Sequence, residues 1–204
     1  MMKKKLPLLL AIVIVVVACV AGTTMAYLTS SMKIVNTFLT PSLSTTIYEN
    51  NAIATGKIQV SEGSSSTKKQ VQIKNEASGL QPDTAIDAFI RAMVIPHCPN
   101  GGNVSYDLAN DKIVLTVAKN KKVELILAAD WRDHWFFSDN MFYHKTRVAP
   151  NAKTSILLDT VRVSSIDLWK DLAVDVLSEG IQAEGGAAPQ VWGVTINADG
   201  TISN

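Results

Sequence analysis

The sequence predicts an all-β protein: a two-sheet sandwich of about ten short strands with one or two short helices, preceded by a hydrophobic signal helix. Three observations carry this. From residue 32 onward, apolar side chains recur mostly at every second position, the period of a strand with one face turned inward. Turn residues interrupt that pattern about every 8–12 residues. A single open sheet of so many strands would also leave half of its apolar side chains wet, so two inner faces must meet.

The N-terminus has three parts. Lys3, Lys4 and Lys5 precede an apolar run from Leu6 to about Gly22, and Thr24-Met25-Ala26 follow it. A cationic start, a hydrocarbon stretch and a small-x-small site make an export signal. The lysines hold the N-terminus on the cytoplasmic side. At 17 residues the run stands at the short limit of the roughly 17–25 that span a bilayer. The preferred outcome is a cut between Ala26 and Tyr27, with residues 1–26 as signal peptide and 27–204 as one domain. A retained membrane anchor is one alternative. Lipidation at Cys19 is another, because Val16-Val17-Ala18-Cys19 resembles a lipobox. The residues after Cys19 stay apolar, however, and a better cut lies seven positions downstream.

Such a cut leaves 178 residues, enough for one sizeable core. It removes three of 19 basic residues and none of 18 acidic ones, taking the net charge from +1 to −2, so nothing favours nucleic acid as a partner. Of the two cysteines only Cys98 survives. One cysteine cannot close an internal bridge, and Cys98 reads as a small buried hydrophobe.

Along the rest of the chain, "KKQVQIKNE" alternates Val71 and Ile73 with polar neighbours, a strand with one wet face. "SEGSSSTKK", residues 61–69, reads as a loop. "AIDAFIRAMVIP", residues 85–96, is apolar on both sides, as a central strand would be. "DKIVLTVAKNKKVELILAAD" holds two strands joined by the solvated tip Lys119-Asn120-Lys121-Lys122. "TSILLDTVRV", "LAVDVLSEGIQA" and "QVWGVTI" supply the last strands. Between them stand Asn100-Gly101-Gly102-Asn103, Ala109-Asn110-Asp111, Pro150-Asn151 and Gly185-Gly186 ahead of Pro189. The one convincing helical stretch is Ser165 to Lys170, with Ser165 as N-cap.

Chemistry-bearing residues are few. "DWRDHWFFSDNMFYHK", residues 130–145, holds six of the 13 aromatics. As a hairpin turning at Ser138-Asp139-Asn140-Met141, it sets Phe137 against Phe142, Trp135 against His144 and Phe136 against Tyr143. Alternation puts Trp135, Phe137, Phe142 and His144 on one face and Phe136, Tyr143, His134 and Lys145 on the other. The pattern favours a core hairpin with one inward face over a sugar-stacking or protein-binding platform. His134 and His144 then point apart and cannot share a zinc ion. His97 and Cys98, adjacent in a strand end, also diverge. No metal-ligand set, no HExxH, no G-x-S-x-G elbow and no phosphate-cradling glycine loop is legible. Asp130 and Asp133 read as solubilising charges. No catalytic, cofactor-binding or metal residue is assigned.

A family resemblance adds to this. "GTTMAYLTSSMKIVNTF" resembles the signal region of Gram-positive proteins released by a dedicated, endoplasmic-reticulum-type (SipW-type) signal peptidase. In those proteins a G-x-x-x-A-Y-x-T box straddles the cut and N-T-F follows; here the matching residues are Gly22, Ala26, Tyr27, Thr29, Asn36, Thr37 and Phe38. "VQIKNEASGLQPDTAIDAFIRAMVIP", "FYHKTRVAPNAKTSILLDTVRV" and "VDVLSEGIQAEGGAAPQVWG" resemble later family segments in the family's order. The family is that of the TasA biofilm-matrix fibre protein and the camelysin-type surface proteins. The resemblance implies a jelly-roll-like sandwich, export to the cell surface or extracellular matrix, and self-association or association with other matrix or surface proteins. The membrane is then met only through the signal segment before cleavage. It also implies that residues 27–40 can serve as a donor strand for a neighbouring subunit, with Ile34, Asn36 and Phe38 alternating with Val35, Thr37 and Leu39. Two departures stand out: Ala77-Ser78-Gly79 displace the family's glycine after K-N, and Asn151 replaces the glycine of the Pro150 turn, where it must reach positive φ.

Two functions follow. The first is a non-enzymatic exported surface or matrix protein. The second is a secreted metallo-endopeptidase of the camelysin kind, which would need a convergent ligand set that these histidines do not form.

Overall fold

Strand formation follows the alternation read above. The structure, a computed structural model, describes residues 42–54, 63–78, 86–99 and 101–204. Thirteen strands lie among them: β1 (Ser42–Glu49), β2 (Ala52–Ile53), β3 (Ser66–Ser78), β4 (Ala88–His97), β5 (Asn103–Asp107), β6 (Lys112–Ala118), β7 (Lys121–Leu127), β8 (Trp135–Ser138), β9 (Met141–His144), β10 (Leu158–Val163), β11 (Ala173–Gln182), β12 (Thr195–Ile196) and β13 (Ile202–Ser203). Two short α-helices, α1 (Trp131–His134) and α2 (Ala187–Trp192), accompany 3-10 turns at Leu108–Asn110 and Ile166–Lys170. Among the described residues the fold is mostly β, and every strand pairing is antiparallel. Among the described residues no helix is long and apolar enough to cross a membrane.

The strands form a seven-stranded sheet, β2-β1-β3-β10-β7-β6-β5, a four-stranded sheet, β11-β4-β9-β8, and the small pair β12-β13. One core joins the two large sheets. Val71, Ile73, Ile113, Leu115, Val123, Leu125 and Val161 come from the first, and Ile90, Ala92, Val94, Trp135, Phe142, Val174 and Val176 from the second. Burying each of the larger aliphatic side chains here contributes about 1.5–3 kcal/mol, so this shared interior holds the layers together. Cys98 lies in it as a free thiol, 6% exposed, while His97 beside it faces water.

Asn75 of β3 knots three segments. Its buried side-chain amide donates to the carbonyls of Ile86 and Val148, both at 2.9 Å. Its own N–H reaches the Ala152 carbonyl, and its carbonyl accepts from Asn151. Asn151 adopts φ 62°, the left-handed value that the Pro150 turn requires.

The structure corrects several expectations. Residues 66–69 are strand rather than loop, because Ser66, Thr67 and Lys68 pair with β10. Lys69 is buried there, its Nζ 2.5 Å from Glu49 Oε1. "QVWGVTI" is not one strand. Gln190, Val191 and Trp192 end α2, and only Thr195–Ile196 pair. Helix wins because Pro189 falls in the first turn, where no intrahelical N–H is owed, and Gly193 at φ 70° closes the C-terminus through its N–H to the Pro189 carbonyl. Residues 131–134 are a helical turn, not the start of the hairpin. Ser165 stands at the N-cap position, but its hydroxyl donates to the Asp167 carboxylate instead of receiving a backbone N–H. The signal segment, Cys19, the cut-site residues Thr24, Ala26 and Tyr27, and the donor-strand residues Ile34, Asn36 and Phe38 lie outside the described residues.

Candidate functional site

The aromatic hairpin has the register its sequence predicts. Trp135 pairs with His144, Phe136 with Tyr143, Phe137 with Phe142 and Ser138 with Met141. Asp139 and Asn140, at φ 50° and 61°, form the tight turn that matches strand twist. Trp135 and Phe142 enter the shared core, with Phe137 packed against it. The second face is also covered, contrary to the expectation of one inward face. Phe136 and Tyr143 stack at 4.9 Å with planes 8° apart, and Tyr143, Phe89, Ala188, Trp192, Val194 and Ile202 form a second cluster. The C-terminal segment therefore caps the outer face of the four-stranded sheet. Arg91 stands at the rim of this cap, its guanidinium 4.8 Å from the Trp192 ring and 2.6 Å from Glu179.

The histidines do not converge. His144, 4% exposed, donates from Nδ1 to the Thr146 carbonyl at 2.8 Å and accepts the Ser155 N–H on Nε2 at 3.3 Å. Both ring nitrogens are thereby engaged, and burial pushes the imidazole below its ordinary pKa. His134 pairs with Asp130 at 3.4 Å, and His97 with Asp175 at 3.0 Å, both at the surface. Among the described residues no group of three or more His, Cys, Asp or Glu could hold a metal ion. Burial, with Asp171 nearby, pushes the Cys98 thiol up, away from nucleophilic reactivity.

The sheet edges are the more telling feature. At one side of the molecule β1 leans on β11. Thr45 and Ser178 share a hydroxyl hydrogen bond of 2.8 Å, and a Cβ at Gly180 would lie 3.1 Å from Thr45 Cγ2 and 3.3 Å from Leu43 Cδ2. The absent side chain lets the two backbones approach, and this seam is shut. At the other side, among the described residues, β5 ends the larger sheet and β8 the smaller. The Tyr106 and Phe137 rings meet there at 4.6 Å, and Asp111, in the turn after β5, binds Trp131 and Arg132 ahead of β8. Asn103, Val104 and Ser105 are exposed. Val104 pairs with the buried Leu115 and so belongs to the inward face, yet it stands 40% exposed.

Beside β8 runs a shallow groove of about 340 Å³, lined by Leu108, Trp131, Phe136 and Phe137 and by the cations Arg132 and Lys145. Asp111 anchors its wall: Trp131 Nε1 donates to it at 2.6 Å and Arg132 pairs with it. These bonds hold the Asp111 carboxyl below its ordinary pKa.

The sequence-assigned residues Thr24, Ala26, Tyr27, Ile34, Asn36 and Phe38 lie outside the described residues. Val104 and Gly180 were not singled out from the sequence. Their signals are slight: one glycine in an alternating strand, and a short uncharged run after Asn100-Gly101-Gly102. No protein-family model, curated protein or solved structure matches the chain.

Proposed function

We propose that this chain is a non-enzymatic exported protein of the cell surface or extracellular matrix, of the TasA and camelysin-like kind, and that it assembles with copies of itself by strand donation. In this reading a SipW-type signal peptidase cuts between Ala26 and Tyr27, and residues 27–40 become free to join a neighbour. The observation that carries the proposal is the edge of β5, which presents the exposed, uncharged residues Asn103, Val104 and Ser105 among the described residues. A jelly-roll-like sandwich accords with the connections from β3 to β4, β4 to β5, β7 to β8 and β9 to β10, each of which passes from one large sheet to the other.

Two measurements test it. Protein isolated from its native envelope should have the mass of residues 27–204, whereas a retained or lipidated leader gives a different mass. A chain beginning at Tyr27 should form sedimentable assemblies that a chain beginning at Ser42 does not. A Tyr27 chain that stays monomeric at high concentration overturns the assembly reading.

A further inference from the structure

We propose that a diagonal row of cations on the outer face of the seven-stranded sheet, Lys68, Arg162 and Lys122, binds an extended polyanion whose phosphodiesters recur along a polyol backbone. This site is separate from the strand-donation reading and stands whether or not the chain assembles.

The row follows from register. β3, β10 and β7 are neighbours, in that order, in the larger sheet. Arg162 of β10 lies opposite Ser66 of β3 on one side and Glu124 of β7 on the other. Lys68 pairs with Thr160, and the Ser164 N–H reaches the Lys122 carbonyl at 2.9 Å. Lys68 and Lys122 are therefore the diagonal neighbours of Arg162, displaced in opposite directions along β10. Diagonal neighbours in a sheet stand about 7–8 Å apart, so the three cations form one line across three strands. All three are exposed, while Lys69, Val123, Val161 and Val163 beside them are buried on the inner face.

The row is also unmatched in charge. The carboxylates of these strands are already engaged: Glu76 with Lys74 at 2.9 Å, Glu124 with Lys112 at 2.6 Å, and Asp159 with Gln70 and Thr160. Lys68, Arg162 and Lys122 have no carboxylate in ion-pair reach among the described residues. Such a line of like charges is relieved by an anion laid along it. At the Lys122 end the surface dips into a hollow of about 300 Å³ shared with Arg162 and Ser65, whose hydroxyl adds a donor for a phosphate oxygen.

The surroundings select the polymer. β3, β7 and β10 contain no aromatic residue, so nucleobases would find no ring to stack on. The exposed large apolar side chains, Ile53, Val104, Ile166, Leu177 and Val191, all lie outside these strands, so none beside the row can enter a lipid bilayer. A line rather than a cluster suits charges strung along a chain, and a short polyol between phosphates spans a like distance.

The test uses the protein purified from its native envelope, with poly(glycerol phosphate), inorganic phosphate and single-stranded DNA as probes. Calorimetric titration should show the polymer bound at low salt, released as salt rises, and held far more tightly than inorganic phosphate. Lys68→Gln, Arg162→Gln and Lys122→Gln should each weaken polymer binding about threefold and reduce the slope of log K against log salt by about 0.7–0.9. Arg147→Gln removes the same charge from a residue paired with Glu184, outside the row, and should change neither. Far-UV spectra and urea midpoints of the row variants should match the wild type, because these side chains stand in water; should one variant fail to fold, the other two carry the test. The inference is overturned if the polymer does not bind, if folded row variants bind it as the wild type does, or if Arg147→Gln weakens binding equally. Inorganic phosphate held as tightly as the polymer overturns the row as a unit, and tighter binding of DNA overturns the choice of ligand.

Discussion

His144 shows how a single residue ties the hairpin to its surroundings. The ring pairs across the strands with Trp135, at 4.9 Å between centroids, and holds the Thr146 carbonyl and the Ser155 N–H with its two nitrogens. Its pKa is lowered from the ordinary 6.5, by burial first and by His134 among the smaller causes, with the Thr146 bond opposing. The folded state thus binds a proton less readily than the unfolded chain. This stability contribution is fully present above pH 6.5 and declines as pH falls below it, until the folded-state pKa is passed. Urea midpoints should fall between pH 7 and pH 5, and His144→Gln should flatten that decline; an equal slope in the variant would show that another group governs it. Asn75 is a second such residue. The sequence marks it within a K-N-E motif but shows nothing of its partners, because the carbonyls it binds lie 11 and 73 residues away.

Elements were legible wherever one local period ruled. Val71 and Ile73 of β3, the apolar run of β4, the β6–β7 hairpin and the aromatic hairpin were all read in place, since side-chain alternation is a local property. Pairing partners were not legible. β10 lies between β3 and β7 through contacts made across the chain, and that neighbour is what turns Ser66–Lys68 from loop into strand. The sequence around α2 reads as a strand because Val191 and Trp192 followed by Val194 mimic one, whereas Gly186 and Gly193, at φ 70° each, set the ends of a helix. At this scale the closed seam makes its own prediction. Gly180→Val puts two methyl groups against Leu43 and Thr45, at a site where a single Cβ is already at 3.1 Å. It should lower unfolding free energy by about 1–3 kcal/mol, read as a lower urea midpoint. An unchanged midpoint would show that the contact of β1 with β11 is dispensable.

For the whole molecule the surprise is the second cluster. Sequence period shows that a strand has two faces but not that the C-terminal residues return to cover the outer one, so the hairpin was expected to be wet on that side. Phe89, at 0% exposure, and Tyr143, at 3%, depend on Trp192, Val194 and Ile202 for their burial. Removing residues 184–204 should keep the β-type far-UV spectrum, because the inner core stays whole, while dye binding and aggregation rise as the aromatic face is bared. Loss of all strand signal would show instead that the cap is needed for folding.

The sulfhydryl of Cys98, the only one among the described residues, has a practical corollary. It is sealed inside the layers and has no disulfide partner, so these layers owe nothing to an oxidising compartment. An alkylating reagent can reach the sulfur only when the shell breathes, which makes its labelling rate a stopwatch for transient opening, with no probe to be engineered.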